Sequence, residues 1–213
     1  LNVSNSSIVL YMPFDVNNNS AGITYDYTNN SNDGTLRNGT VYNNSLGVYG
    51  GYSTFDGSND RIGASYNSLF DFEKTDSFSI SFWVKPNLGA VSGEIISKTT
   101  SDGNLQGYVM YISGADKIAY FLITDNDASP TQRIFLESQP TISENVWTHV
   151  VATYSGSGTA SGVKMYFNGA SVSTTTTNDN IGASIKSTVP FNIGDRVNGA
   201  NPYKGDVDEV MVW

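Results

Sequence analysis

Side chains able to do covalent chemistry are scarce in this chain. Cysteine is absent, which removes thiol nucleophiles, thiolate metal sites and disulfides together. The one histidine, His149, lies in the run WTHVVATY (147–154), where it alternates with Trp147 and Val151 on one strand face and reads as a packed structural residue rather than a base. The five glutamates, Glu73, Glu94, Glu137, Glu144 and Glu209, stand far apart. No glycine-rich phosphate loop precedes a helix. What is abundant is hard oxygen from carboxylates, Asn side chains and backbone carbonyls, which suits calcium and not zinc. Asp208, beside Asp206 and Glu209, is expected to point to the Val210/Val212 side of its strand, where an ionised carboxylate needs a cation, turn amides, Lys204 or Arg61 to satisfy it. The Asx-rich turns 102–104 and 125–127 read as conformational rather than ligating.

Sugar recognition asks for aromatic faces with polar companions. Trp83, Tyr108, Tyr111 and Tyr120 are candidates for the first, and Gln106, Asn126 and Arg133 for the second. Each tyrosine is equally at home packed in a strand with its hydroxyl wet.

The elements that must carry these residues are strands. Runs rich in Val, Ile, Phe, Tyr and Thr recur between Gly, Asn, Ser and Asp clusters, with no sustained helical period. Phe78, Ile80, Phe82 and Val84 alternate with Ser79, Ser81, Trp83 and Lys85, giving an inward and an outward face. A hairpin is expected through residues 56–60, a four-strand meander over 94–136, and a second meander over 147–173 whose tightest turn is Asn168-Gly169. The polar tract 17–44 reads as loop with at most one short strand near residues 40–42, and the Thr174–Thr177 run reads as loop. About a dozen strands without helical crossovers imply two packed antiparallel sheets, an all-β sandwich. At 213 residues one domain over 1–213 is expected, with 1–7 as linker.

Net charge is −9, from 11 Lys and Arg against 20 Asp and Glu, a field that repels nucleic acid and anionic membranes. No window is long and apolar enough to span a bilayer. Six Asn-x-Ser/Thr triplets, at Asn2, Asn5, Asn18, Asn29, Asn38 and Asn43, are candidate glycosylation sites of an extracellular or cell-surface protein.

Four segments in order, LYMPFD (10–15), FDGSND (55–60), FSISFWVKP (78–86) with WTHVVATY and MYFNG (165–169), and KGDVDEVMVW (204–213), resemble the laminin G-like jelly rolls of the concanavalin A-like lectin and glucanase superfamily. The resemblance implies two sheets of six or seven strands with the first and last strands adjacent. It also implies a structural calcium held by Asp208 with Asp15 and the Gly50 region. Glucanases of that superfamily carry an E-x-D-x-E strand, which this chain lacks. The expectation is a non-catalytic, carbohydrate-binding module in a larger extracellular chain. The alternative is an adhesive or structural surface domain that contacts a cell-surface protein with no sugar site.

Overall fold

The computed structural model describes residues 6–18, 22–89, 91–100, 104–126 and 132–213. In chain order its strands are β1 (Leu10–Met12), β2 (Asn17–Asn18), β3 (Ile23–Thr24), β4 (Gly34–Arg37), β5 (Val41–Asn43), β6 (Tyr52–Asp56), β7 (Arg61–Ala64), β8 (Phe78–Pro86) and β9 (Gly93–Thr99). They continue with β10 (Gly107–Ile112), β11 (Ile118–Asn126), β12 (Gln132–Thr141), β13 (Thr148–Tyr154), β14 (Val163–Phe167), β15 (Ala170–Val172), β16 (Thr174–Asp179), β17 (Phe191–Ile193) and β18 (Lys204–Val212). Helix among the described residues is limited to two single 3-10 turns, Ser68–Phe70 and Ala160–Gly162, so no helix there is long and apolar enough to cross a membrane.

The strands form two antiparallel sheets. One has eight strands in the order β15-β14-β13-β8-β18-β6-β5, with β1 also on β18; the other has ten, β16-β12-β11-β10-β9-β17-β7-β4-β3-β2. Alternation decides what lies between them. Phe78, Ile80, Phe82 and Val84 of β8 face Tyr108, Met110 and Ile112 of β10 and Phe121 and Ile123 of β11 in one continuous apolar core. Phe78 is its hub, with its ring centroid 4.6 Å from Phe72, 5.1 Å from Tyr108 and 5.6 Å from Tyr154. The chain ends meet as expected: Leu10 pairs with Val212.

Four expectations need correction. The sheets have eight and ten strands rather than six or seven. The turn 56–60 closes, with Asp60 Oδ2 accepting from the Asp56 amide at 2.9 Å, yet it is no hairpin: β6 joins the eight-stranded sheet and β7 the ten-stranded one. A tight turn fixes only its own geometry, and the inward Phe55 and Ile62 decide which sheet each arm joins. Thr174–Asp179 is the edge strand β16 and not loop, because each Thr can sit on a pleated, exposed edge.

The polar tract is the fourth. Four short strands, β2 to β5, lie in it. Asp26 organises it: Oδ1 accepts from the amides of Tyr11 and Thr28, each at 3.0 Å, while Oδ2 accepts from Thr28 Oγ1 at 2.7 Å and the Asn32 amide at 2.9 Å. Asn30 and Asn32 donate to the carbonyl of Val9. Asn and Asp here satisfy main-chain groups that an apolar segment would have had to pair within a sheet.

Candidate functional site

Strand parity sorts the sequence candidates. On β10, Tyr108, Met110 and Ile112 point into the core, so Val109 and Tyr111 point out. On β11 and β12 the outward set includes Tyr120, Leu122, Arg133 and Phe135, which alternate with the inward Ala119, Phe121, Ile123, Ile134 and Leu136. Tyr111, Tyr120 and Phe135 therefore form an aromatic row across three neighbouring strands. The rings of Tyr111 and Tyr120 are parallel at 4.6 Å, and those of Tyr120 and Phe135 lie 5.4 Å apart. The Arg133 guanidinium covers Phe135 at 4.8 Å, and its Nε donates to Asn178 Oδ1 at 2.9 Å.

Beside this row lies a groove of about 350 Å³. Val109 and Leu122 form an apolar floor, Tyr111, Phe135 and Arg133 one wall, and Glu94, Arg196 and Asn201 the other. The second wall is polar and held in place. Glu94 is buried, and its carboxylate accepts from the Arg196 guanidinium and from Asn201 Nδ2, the latter at 2.9 Å. Arg196 and Asn201 come from the loop 195–201 between β17 and β18, anchored through Asp195 Oδ1, which accepts from both their amides. Asp195 is fully buried, and burial pushes its pKa above the usual carboxylate range. Glu94 and Asp195 thus both help to hold this wall, Glu94 at the groove and Asp195 buried behind it.

The other candidates separate from this set. Tyr108, expected beside Tyr111, is sealed in the core with its hydroxyl donating to Phe70 O at 3.2 Å. Positions three apart on a strand lie on opposite faces. Trp83 is outward on the eight-stranded sheet, across the sandwich from the groove, with its ring stacked on His149 at 5.1 Å. Burial lowers the His149 pKa, in keeping with a packed, neutral imidazole. Gln106 spends its amide on Ser184 O. The Asn126 backbone ends β11; its side chain lies outside the described set. Phe135, Glu94, Arg196 and Asn201 were missed in the sequence. Phe135 was legible, two positions from Arg133 on one strand; Arg196 and Asn201 sit in a loop, which has no periodicity to read.

Asp208, Asp15 and the Gly50 region do come together. Strand β18 pairs with β6 as far as Val207 and with β1 from Val210 onward. Between them the β8 pairing shifts register, and Glu209 takes φ of 54°. This bulge carries Val207, Val210 and Val212 all inward, so Asp208 does not share the Val210/Val212 side. It lies opposite Trp83, roofed by the loop before β6 and fully buried. Neither Lys204 nor Arg61 pairs with it. Its Oδ2 accepts from the Val48 amide at 2.8 Å and its Oδ1 from the Glu209 amide at 2.8 Å, but burial outweighs these bonds and pushes its pKa up to about 7.

Asp15 Oδ1 accepts from the Gly51 amide at 3.3 Å. Glycines let oxygens crowd this spot: a Cβ on Gly47 would stand 2.8 Å from Asp208 Oδ2, one on Gly51 2.8 Å from Asn43 O, and one on Gly50, at φ of 68°, would strike Asp15 Oδ1. Two carboxylates and backbone carbonyls gathered close about these glycines are donors of the kind that calcium takes.

Of the sequon residues, Asn2 and Asn5 lie outside the described set, and only the backbone of Asn18 is described, in β2. Asn29 is exposed; Asn38 is exposed, with its amide donating to Asn59 O; the half-buried Asn43 donates to Thr54 Oγ1. Of the acidic turns, Asp125 Oδ2 accepts from the Gly182 amide at 2.7 Å, and residues 101–103 and 127 lie outside the described set.

Known proteins of this shape include the binding domain of Paraclostridial Mosquitocidal Protein 1, at a TM-score of 0.70 and 17% identity over 97% of this chain and 48% of that one. Domain 4 of AbnA, an extracellular arabinanase from Geobacillus stearothermophilus solved with arabinotriose, superposes at 0.63 with 20% identity over 97% and 91%. Trypanosoma rangeli sialidase does so at 0.64 with 14% identity over 98% and 30%. The chain thus spans about half of the first of these and under a third of the sialidase. Among curated proteins no sequence matches it. The model of the laminin G-like family described as concanavalin A-like lectin/glucanases superfamily matches residues 55–213, well over half of the chain. With the two-sheet sandwich and paired chain ends, that match places the protein: it is a laminin G-like domain of the concanavalin A-like lectin/glucanases superfamily.

Proposed function

We propose that this domain is a non-catalytic carbohydrate-binding module of a larger extracellular or cell-surface chain, with the sugar in the groove on the outer face of the ten-stranded sheet. The observation that carries this is the groove's composition: apolar floor, aromatic wall and a fixed Glu94, Arg196 and Asn201 cluster opposite. Sugar rings offer C–H faces to the first two and hydroxyls to the third. Likeness to an arabinanase domain solved with arabinotriose agrees with a saccharide of this kind, as does the extracellular setting of that enzyme.

A calcium ion held by Asp208, Asp15 and carbonyls of the 47–51 loop completes this reading. Its charge would neutralise the buried Asp208 and clip the chain's first strand to its last, a structural role at a distance from the groove. An adhesive alternative draws on Leu46 and Tyr49, both exposed on that loop (86% and 65%). A glycan array read with and without chelator tests these readings. Binding that depends on Tyr111 supports the module; no glycan bound under either condition contradicts it and favours adhesion.

A further inference from the structure

The loop 195–201 walls more than the groove. On its other side Val197 borders a second recess of about 250 Å³ on the same outer face, over β4, β7 and β17. Its polar lining is Arg37, Arg61, Ser65, Tyr66 and Asn192. Arg37 and Arg61 are direct cross-strand partners, a placement of like charges that costs stability. Among the described residues neither forms a salt bridge, although the chain carries 20 carboxylates to 11 basic residues. Asp195 acts on Arg61 at longer range without pairing with it.

The floor between the two arginines is backbone. Gly63 faces outward there, and a Cβ on it would lie 3.6 Å from Arg37 Nε and 3.2 Å from Asn192 Oδ1. Two unpaired guanidinium forks over a bare floor, in a protein whose overall field repels anions, make a local site for one anionic group.

We propose that this recess binds the carboxylate or sulfate of an acidic sugar unit, so that the module's ligand is an acidic polysaccharide spanning both recesses. This rests on the carbohydrate reading above. From the middle of the groove strands to β7 the distance is roughly 17 Å at the usual strand spacing, a reach for an oligosaccharide and not for one sugar.

The test is calorimetric binding of polygalacturonate, dextran sulfate and neutral arabinan to the wild type, to R37Q/R61Q and to Y111A/F135A. The wild type is expected to favour at least one acidic polymer over arabinan by about tenfold or more, as one charge-assisted pair would supply. The acidic polymer that is favoured distinguishes carboxylate from sulfate. R37Q/R61Q should erase that preference, leave arabinan affinity unchanged, and melt no lower than wild type because the like-charge pair is relieved. If the double variant does not fold, R37Q alone, at an exposed position, should cut the preference several-fold.

A wild type without preference, or a preference that survives in R37Q/R61Q, overturns the inference. Acidic binding abolished in R37Q/R61Q but untouched in Y111A/F135A would keep the arginine site and refute the groove.

Discussion

The two outer faces of the sandwich were built by one rule and ended differently. On the eight-stranded sheet the outward residues Trp83 and His149 stack on each other, and Lys85 pairs with Asp206 at 3.1 Å. These outward groups already have partners beside them. On the ten-stranded sheet the outward Val109, Leu122 and Phe135 meet a wall that rises from elsewhere, the 195–201 loop with its Arg196 and Asn201. A pleated face becomes a recess when a connection is anchored above it; aromatic content alone does not do so.

The largest expected effect breaks that wall. Arg196→Ala leaves the buried Glu94 with Asn201 as its remaining partner, and loss of one member of a buried ion pair costs about 3–5 kcal/mol. Urea unfolding would measure it, and the groove should lose its sugar affinity even under conditions where the variant stays folded. Lys85→Ala, the matching change on the other face, should cost less than about 1 kcal/mol, since that pair is partly exposed.

Next is the ion. Calcium at a hundredfold excess over its dissociation constant should stabilise the wild type by about 2.7 kcal/mol, seen as a rise in melting temperature. Asp208→Asn should abolish that rise. An equal rise in both proteins would mean that calcium binds elsewhere.

A comparable effect separates the faces directly. Tyr111→Ala should weaken glycan binding about 10- to 100-fold, the cost of losing roughly 1.5–3 kcal/mol of aromatic burial. Trp83→Ala should leave it within about twofold.

The smallest effect is on the eight-stranded face. Burial holds the folded His149 pKa below the unfolded value. As pH falls below about 6.5 the unfolded chain takes up a proton first, so stability declines on acidification. His149→Phe should remove that part of the decline in melts between pH 7 and 5.

How much of this could be read in the sequence follows from what alternation encodes. It sets β7, β14 and β17 at their observed limits and puts Trp83 outward, because burial on one face enforces a period of two. It failed where the period breaks. The bulge at Glu209 moved Asp208 off the side that strict alternation assigns, and the aromatic content around Tyr108 obscured its odd offset from Tyr111. The tract 17–44 reads as loop because its order comes from Asp26, Asn30 and Asn32 bonding to main chain, a pattern that hydrophobicity does not register. The convergence of Asp208 with Asp15 came from family resemblance and not from spacing, since β18 changes partner from β6 to β1 only in three dimensions.

The most direct measurement is an NMR titration of the domain with arabino-oligosaccharide, following amide shifts on both sheets. With the sugar in the groove, shifts should concentrate at Val109, Tyr111, Leu122, Phe135 and Asn201 while Trp83 and His149 stay still. Shifts centred on Trp83 and His149, or on the 44–51 loop with the groove silent, would contradict it.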